Sequence, residues 1–390
     1  MAKKLLIKNI GLVHTMSKSG SLKDVSILIE DGVIKEIDKD VKPGTSSAEI
    51  LNAEGLTALP GLIDACTHMG IYVLEREVGD HGVEKSDPIT PHLRVIDSLD
   101  PYDPAFKDAL KGGVTTVAVH PGSYMSFGRL VDSITIMPGQ TAILKVNGEV
   151  LMKEHAIVIA VGEHVKRFLE ENKMVPTTRM GMLASIRAHL FKAKDYLQRR
   201  DKGDAPIDLK LEALAKLLRG ELTALIHAYT TRDMLSLINI LQEFEISKIA
   251  VVHGIESFKV ADVLSERGIP VILGPIVFSK RGVELKEVDS RIPVYLYKSN
   301  VKFALTTDHP TLPIEYLSLL ASVAVGEGLP AHEALRSITI NAAEILGIAD
   351  RVGSVEPGKD ADLVLFEGDP LDPSSKVAYT IVNGNILYER

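Results

Sequence analysis

The hydrophobic residues of this chain follow one pattern at the two ends and another in the middle. Residues 1 to about 58 alternate apolar and polar positions, as in Leu5–Val13, which is typical of strands with one buried face. The pair Asp31-Gly32 predicts a two-residue β-hairpin, and Asn383-Gly384 predicts another near the carboxyl terminus. We therefore expect residues 1–58 and 352–390 to form one small, discontinuous β-sandwich domain.

The middle of the chain, residues 59–351, alternates continuous apolar runs with longer helical patterns. Such runs indicate strands buried on both faces, and the alternation is typical of βα units around a parallel sheet. Roughly eight units in a segment of this length favour an α/β fold of the TIM (β/α)8 barrel type over a doubly wound sheet. The runs are Leu62–Ala65, Thr115–Val119, Ile157–Val161, Leu222–Ile226, Ile249–Val252, Pro270–Leu273 and Phe303–Leu305, with a third strand expected within 121–156.

Helical periodicity fills the intervals between several of these runs, and no glycine-rich phosphate loop follows any strand. A dinucleotide-binding fold is therefore disfavoured. The predicted helices are Gly181–Arg200, Leu209–Leu218, Arg232–Phe244, Val260–Arg267 and Ala331–Leu346.

The amino-acid composition limits the classes of partner that this protein is expected to bind. A hydrophobic content of 45% with 25% charged residues is that of a soluble globular protein, and the net charge of −8 disfavours nucleic acid or an anionic membrane as partner. Neither a signal peptide nor a stretch long enough to cross a membrane is evident. The single cysteine excludes an intrachain disulfide and agrees with a reducing cytoplasm. We expect a cytoplasmic protein with a small-molecule substrate, and self-association into a homo-oligomer is left open.

Candidate chemistry lies directly after the apolar runs, where a TIM barrel gathers its active site. Cys66 and His68 are two residues apart and face the same side of a strand. A lone histidine at a strand end is more often structural, but five strand ends with nitrogen, oxygen or sulfur ligands indicate a metal site. The ligand types suit Zn²⁺ first among divalent ions. The other residues in such positions are Glu163, His164, His227, His253 and Asp308.

This constellation resembles the amidohydrolase superfamily over nearly the whole chain. Residues 60–68, Pro-Gly-Leu-Ile-Asp-Ala-Cys-Thr-His, resemble the superfamily's Pro-Gly-(Leu/Phe)-(Ile/Val)-Asp-x-His-x-His opening, and residues 353–364 resemble its return into the β domain. Within the superfamily the chain is most similar to the imidazolonepropionase-like branch. The stretches that carry this similarity are Asp87–Arg94, Gly112–Thr116, Thr178–Gly181 and Thr307–Pro310.

The resemblance implies a metal-dependent hydrolase of a carbon–nitrogen bond, in a cyclic or linear amide of non-peptide or dipeptide type, with metal-activated water as nucleophile. It implies Asp308 and His253 as catalytic residues, the aspartate moving the proton to the leaving nitrogen. His92, Arg94 and Arg179 are candidates for binding an acidic substrate group or are structural. The implied ligands for one or two ions are Cys66, His68, Glu163, His227, His253 and Asp308.

Two positions depart from the superfamily pattern, and the identity of a third ligand is open. Cys66 replaces the first histidine, and Tyr229 stands where this branch often has a second histidine on the fifth strand. Cys66 is compatible with an altered zinc site, with one vacant metal position, or with an inactive relative that binds or assembles. The fourth-strand ligand is Glu163 or, as in some relatives, a carbamylated lysine, for which Lys153 and Lys145 are alternatives.

Overall fold

A computed structural model describes residues 3–42, 48–71, 82–122, 134–280 and 282–390. Residues 123–133, part of the segment in which the third barrel strand was expected, lie outside the described residues. The strands are β1 (Lys4–His14), β2 (Ser21–Glu30), β3 (Val33–Asp38), β4 (Glu49–Asn52), β5 (Leu56–Pro60), β6 (Leu62–Thr67), β7 (Val114–Val119), β8 (Gln140–Lys145), β9 (Val150–Ala160), β10 (Thr223–Ala228), β11 (Ile249–His253), β12 (Val271–Leu273), β13 (Phe303–Leu305), β14 (Leu363–Glu367), β15 (Lys376–Val382) and β16 (Asn385–Glu389).

The helices follow the strands of the middle region and cover the outside of their sheet. Predicted and observed helices agree closely, except that the single helix expected over Ala331–Leu346 is two helices that meet near Thr339. There the Thr339 hydroxyl donates to the backbone carbonyl of Leu335. The helices are α1 (Ala105–Lys111), α2 (Glu163–Glu171), α3 (Arg179–Asp201), α4 (Leu209–Leu218), α5 (Thr231–Glu243), α6 (Ala261–Glu266), α7 (Ile292–Lys298), α8 (Leu317–Gly326), α9 (Ala331–Ser337) and α10 (Ile340–Leu346).

Strands from both ends of the chain share one eight-stranded sheet in the order β16-β15-β14-β5-β1-β2-β3, with β4 paired to β1. The two predicted hairpins are present. Asp31 and Gly32 have φ values of 49° and 80°, and Asn383 and Gly384 have 49° and 66°, which suits the turns that join strands tightly. All eight of these strands pair into one sheet. The two-layered sandwich therefore stays a prediction, and so do the domain limits at residues 1–58 and 352–390.

The middle of the chain forms a second eight-stranded sheet in which β6 to β13 follow one another in sequence order. It closes on itself because Thr67 pairs with His309, and the His68 N–H donates to the His309 carbonyl over 2.8 Å. The strands carry buried apolar residues nearly throughout, as the predicted barrel requires. The TIM-like barrel is confirmed.

One strand of this barrel runs opposite to the direction predicted. β8 is antiparallel to both β7 and β9, whereas every other neighbouring pair of described barrel strands is parallel. β8 and β9 are joined by a short turn that contains Gly148 with φ of 93°, so no helix separates them. The strand pattern alone carries no information on direction, which is why eight uniform βα units were expected.

The reversed direction of β8 places Lys145 at the amino ends of the parallel strands, paired in register with Thr116. Its amine is fully buried and lies 2.7 Å from Asp360 Oδ2 and 3.0 Å from Asp362 Oδ2. It also donates to the side chain of Asn383. Lys145 therefore joins the barrel to the terminal sheet, at the opposite end from the strand ends where a metal-bridging lysine would have to lie.

Every helix in the described ranges is too short or too polar to cross a lipid bilayer.

Replacing Lys145 with methionine should lower the free energy of unfolding by about 3–5 kcal/mol, since the buried Asp362 loses its cation and Asp360 keeps only its pairing with Arg351. Urea titration followed by circular dichroism measures the change. Lys153→Met is the matched control because Lys153 is exposed on the neighbouring β9, and it should change stability by less than about 0.5 kcal/mol. Equal stability of the two variants would contradict this account of the junction.

Candidate metal centre

Six side chains converge at the carboxyl ends of the barrel strands, and each is at most 3% exposed. They lie in or directly after β6, β7, β10, β11 and β13, and parallel strands deliver their ends to the same rim of a barrel. Five of them were predicted from the sequence. The six are Cys66, His68, His120, His227, His253 and Asp308.

Backbone carbonyl groups fix the orientation of three imidazoles. His68 Nδ1 donates to the His120 carbonyl over 2.8 Å, His120 Nε2 to that of Ala65 over 3.0 Å, and His253 Nδ1 to that of Gly274 over 3.1 Å. Because a carbonyl oxygen only accepts, each of these nitrogens carries the hydrogen. In the neutral rings the other nitrogen then keeps its lone pair. Metal-binding histidines are held in this way.

The ligand atoms form two groups that could each hold a metal ion, and Cys66 belongs to both. In the first, Cys66 Sγ lies 3.5 Å from His120 Nδ1, which lies 3.1 Å from His227 Nε2. In the second, Cys66 Sγ lies 3.6 Å from Asp308 Oδ1, which lies 3.5 Å from His68 Nε2. Within each group all ligand atoms are within 4.8 Å of one another.

The residues present fit a divalent metal ion. His68 Nε2 is buried and has no hydrogen-bond partner among the described residues, and its 3.5 Å separation from Asp308 is long for a hydrogen bond. A buried nitrogen in this state is unfavourable unless something binds its lone pair. Thiolate, imidazole and carboxylate together are the ligands that Zn²⁺ takes in proteins.

Burial sets the protonation of the cluster. It lowers the pKa of His120 and of His227 well below the usual value, and neighbouring imidazoles lower both further. Burial also raises the pKa of the Cys66 thiol, as do the nearby Asp308 and Asp64 carboxylates. Without a cation, burial therefore keeps His120 and His227 neutral and the Cys66 thiol protonated. A bound metal ion reverses this preference by stabilising the thiolate.

Asp308 stays ionised in this setting. Burial raises its pKa, but His253 and His68 outweigh that effect, so the net pKa is lowered. The backbone of His253 has φ of 68° and that of Asp308 has φ of 52°, a conformation that residues other than glycine rarely adopt. Strain of this kind concentrates at functional sites, because the surrounding structure must hold it in place.

A model of the amidohydrolase family matches residues 57–387. The chain belongs to the amidohydrolase family. The match confirms the predicted superfamily and makes the protein a hydrolytic enzyme, of a family that typically binds divalent metal. A crystal structure of an amidohydrolase from Thermotoga maritima shares 33% identity and a TM-score of 0.91, and covers 99% of this chain and 100% of its own.

Curated relatives agree with this placement. An imidazolonepropionase from Caldanaerobacter subterraneus is 28% identical over 94% of this chain and 92% of its own length, which confirms the imidazolonepropionase-like branch. The amidohydrolase tasK of Hapsidospora irregularis is also 28% identical over 93% of this chain. The match spans only 40% of that relative's length.

Asp64 aligns the two strands that bring Cys66 and Asp308 together in this amidohydrolase. Its carboxylate accepts from the hydroxyl groups of Thr306 and Thr307, from the Thr307 N–H over 3.1 Å and from the Cys66 N–H over 3.3 Å. The Asp308 N–H in turn donates to the Thr306 hydroxyl. Full burial raises the pKa of Asp64 to about 6, even though these hydrogen bonds lower it.

Tyr229 packs beside the cluster. Its ring stacks on His253 with centroids 4.6 Å apart and planes 9° apart, and the ring of His164 meets it edge-on at 5.1 Å. His164 Nδ1 lies 2.9 Å from Glu284, which also accepts from the backbone N–H groups of Glu163 and His164. Tyr229, which departs from the family pattern, thus packs against one face of the imidazole of His253, a candidate catalytic residue.

The structure does not bring Glu163 into the cluster. Glu163 is the first residue of α2, its carboxylate lies 3.4 Å from Arg179 Nη1, and it belongs to neither ligand group found among the described residues. The alternative Lys153 is exposed in the first half of β9, far along the strand from its carboxyl end. The fourth strand thus brings none of the three predicted bridging ligands to the cluster.

The three candidate substrate-binding residues are divided between two places. His92 and Arg94 line one cavity of about 280 Å³, next to Pro121. Arg94 is already paired with Asp97 over 2.8 Å and with Glu154 over 3.2 Å. Arg179 instead pairs with Asp233 of α5 over 2.8 Å and with Glu163. The two arginines therefore neutralise protein carboxylates in this structure.

His120 is the site residue that the sequence analysis missed. It directly follows the run Thr115–Val119, which had been identified as a strand, so the rule that found His227 and His253 also applied to it. The signal in the sequence that could have identified His120 is its position directly after a predicted buried strand.

Replacing Asp64 with alanine should lower the free energy of unfolding by about 2–4 kcal/mol and reduce the zinc retained per chain, since buried donors lose their acceptor and the two strand ends lose their alignment. Urea titration and elemental analysis measure the two effects. Asp362→Ala is the matched control, because Asp362 is a buried carboxylate at the other end of the barrel. It should cost stability and leave zinc retention unchanged. Full zinc retention in Asp64→Ala would contradict the proposed alignment.

Proposed function

We propose that this amidohydrolase uses a zinc centre to hydrolyse a carbon–nitrogen bond in a small cyclic or linear amide, of non-peptide or dipeptide type. The observation that carries the proposal is the group Cys66, His68 and Asp308, with a buried, unpartnered His68 nitrogen beside an ionised carboxylate. The similarity to an imidazolonepropionase over nearly the whole length of both chains supports a cyclic amide as the first substrate class to examine.

When bound, a divalent ion lowers the pKa of water and so supplies a nucleophile at neutral pH. Asp308 is suited to take the proton of the attacking water, because it is ionised in this setting and its Oδ1 faces Cys66 and His68. Its other oxygen is held by the Thr311 hydroxyl over 2.9 Å, which prevents the carboxylate from turning away. Asp308 then passes the proton to the leaving nitrogen as a general acid.

His253 contributes a fixed imidazole next to Asp308. Its Nδ1 is bound to the Gly274 carbonyl, and its ring is stacked on Tyr229, so the lone pair on Nε2 keeps one direction. We assign His253 to the metal ion, which its Nε2 lone pair would help to hold.

Zinc is proposed over other divalent ions because the donor set combines sulfur with nitrogen and oxygen, and thiolate selects against magnesium and calcium. A thiolate ligand also has to remain reduced. The reducing cytoplasm predicted from the single cysteine belongs to the same proposal.

The second candidate is a catalytically altered or inactive barrel with a binding or scaffold role. Cys66 favours it, since a thiolate is a stronger donor than the imidazole that it replaces and leaves zinc a weaker Lewis acid. In the absence of metal, moreover, the raised pKa of Cys66 keeps the thiol protonated.

Zinc-loaded protein should hydrolyse at least one member of a panel of imidazolone-type cyclic amides, linear N-acyl amides and dipeptides, and a chelator should abolish the activity. Asp308→Asn should lower kcat by about 10²–10⁴-fold, because the proton transfer is lost while the side-chain shape is kept. Asp362→Asn, at the opposite end of the barrel, should leave kcat unchanged. If zinc-loaded protein is inert toward all three classes, the binding or scaffold role is favoured instead.

A further inference from the structure

We propose that Cys66 is a bridging thiolate shared by two metal positions, and that His120 and His227 complete the second position. This rests on the metal dependence of the proposed function and adds a ligand, His120, to the set that the sequence implied. His68 and Asp308 complete the first position with the same sulfur.

The separations between the ligand atoms agree with shared metal ligation. Two ligands that bind one tetrahedral zinc ion at about 2.0–2.3 Å lie about 3.3–3.8 Å from each other. Cys66 Sγ lies 3.5 Å from His120 Nδ1 and 3.6 Å from Asp308 Oδ1. Asp308 Oδ1 lies 3.5 Å from His68 Nε2. One sulfur atom therefore stands at ligand distance from a nitrogen of one group and an oxygen of the other.

His120 is held for this role by three hydrogen bonds to β6 and to His68, the residue that follows this strand. Its backbone N–H donates to the Thr67 carbonyl over 2.8 Å, its own carbonyl accepts from His68 Nδ1, and its Nε2 donates to the Ala65 carbonyl. The Ala65 contact leaves the lone pair on Nδ1, the atom that faces Cys66 Sγ. A ligand fixed on both its backbone and its ring has little freedom to turn away from a metal ion.

The same positions lack the bridging carboxylate that the resemblance led us to expect. Glu163 pairs with Arg179, Lys145 is bound at the other end of the barrel, and Lys153 is exposed. Two divalent ions held close together need an anion between them. Of the described residues, Cys66 is the one that belongs to both ligand groups. Its sulfur would be the bridging anion once the thiol proton is released to solvent.

A hydrogen bond is the competing explanation for part of this arrangement. The 3.1 Å between His120 Nδ1 and His227 Nε2 also suits an N–H···N bond in which His227 donates. In that case the protein would hold a single ion on Cys66, His68 and Asp308, and the second position would take none. Metal stoichiometry decides between the two arrangements without reference to any substrate.

The experiment is a titration of metal-free protein with Co²⁺, followed by absorption spectroscopy. Because Cys66 is the only cysteine in the chain, any thiolate-to-cobalt charge-transfer band reports on Cys66 alone. We expect binding of two equivalents, with the band growing during both, since each ion would share the sulfur. Elemental analysis of zinc-loaded protein should likewise find two ions per chain.

Two variants test the sharing from opposite sides. His120→Asn should lose one equivalent and keep a thiolate band from the position of His68 and Asp308, and His68→Asn should lose the other equivalent and keep a band from the position of His120 and His227. His155→Asn is the matched control. His155 is also a buried barrel histidine, but it lies in β9, bonded to Thr141 over 3.0 Å and outside both ligand groups. It should retain two equivalents.

One equivalent in the unmodified protein, or no loss of metal in His120→Asn, would overturn the proposal. So would a band that is complete after the first equivalent, since the second ion would then not touch the sulfur. Circular dichroism of each variant excludes misfolding as the cause of lost metal. Two shared ions without any hydrolysis would refute the proposed function alone, and hydrolysis with one ion would refute only this inference.

Discussion

The hydrogen-bonded contact between the first and last barrel strands, centred on Asp64, is the constraint on which the rest of this structure depends. Asp64 of β6 accepts from three groups of Thr306 and Thr307, just beyond β13, and from the Cys66 N–H of its own strand. Closing the barrel and bringing the Cys66 sulfur to Asp308 are therefore the same event. Burying the Asp64 carboxylate is unfavourable, as its raised pKa shows. The carboxylate lies at the point where the ends of β6 and β13 have to be aligned.

The cluster shows how burial prepares a site for a cation. Burial favours neutral imidazoles at His120 and His227 and a protonated thiol at Cys66, and hydrogen bonds to backbone carbonyls fix the direction of three of the imidazole rings. The orienting groups are carbonyls of the barrel strands themselves, such as Ala65 for His120. Strand register therefore sets the direction of these imidazoles. The positive φ angles of His253 and Asp308 show that this rim also holds strained backbone.

Local rules predicted the features that depend on neighbouring residues. The Asp31-Gly32 and Asn383-Gly384 turns were predictable because only a few residue pairs adopt their backbone angles, and α4 was predicted over its observed range because its periodicity is regular. The direction of β8 was not predictable, since a run of apolar residues has the same pattern in a parallel and in an antiparallel strand. Glu163 directly follows the fourth predicted strand, yet it starts a helix whose contact with Arg179 turns its carboxylate from the cluster. Tertiary contacts of that kind leave no trace in local sequence.

The substitution at Cys66 has a physical consequence that links it to His120. A thiolate bound to one zinc ion donates more charge than imidazole and makes the ion a weaker Lewis acid, which is unfavourable for activating water. A thiolate divided between two ions donates less to each, so the loss of acidity at either ion is smaller. Sharing the sulfur with a second ligand group would therefore favour the activation of water. His120 and His227 are the residues placed to form that group.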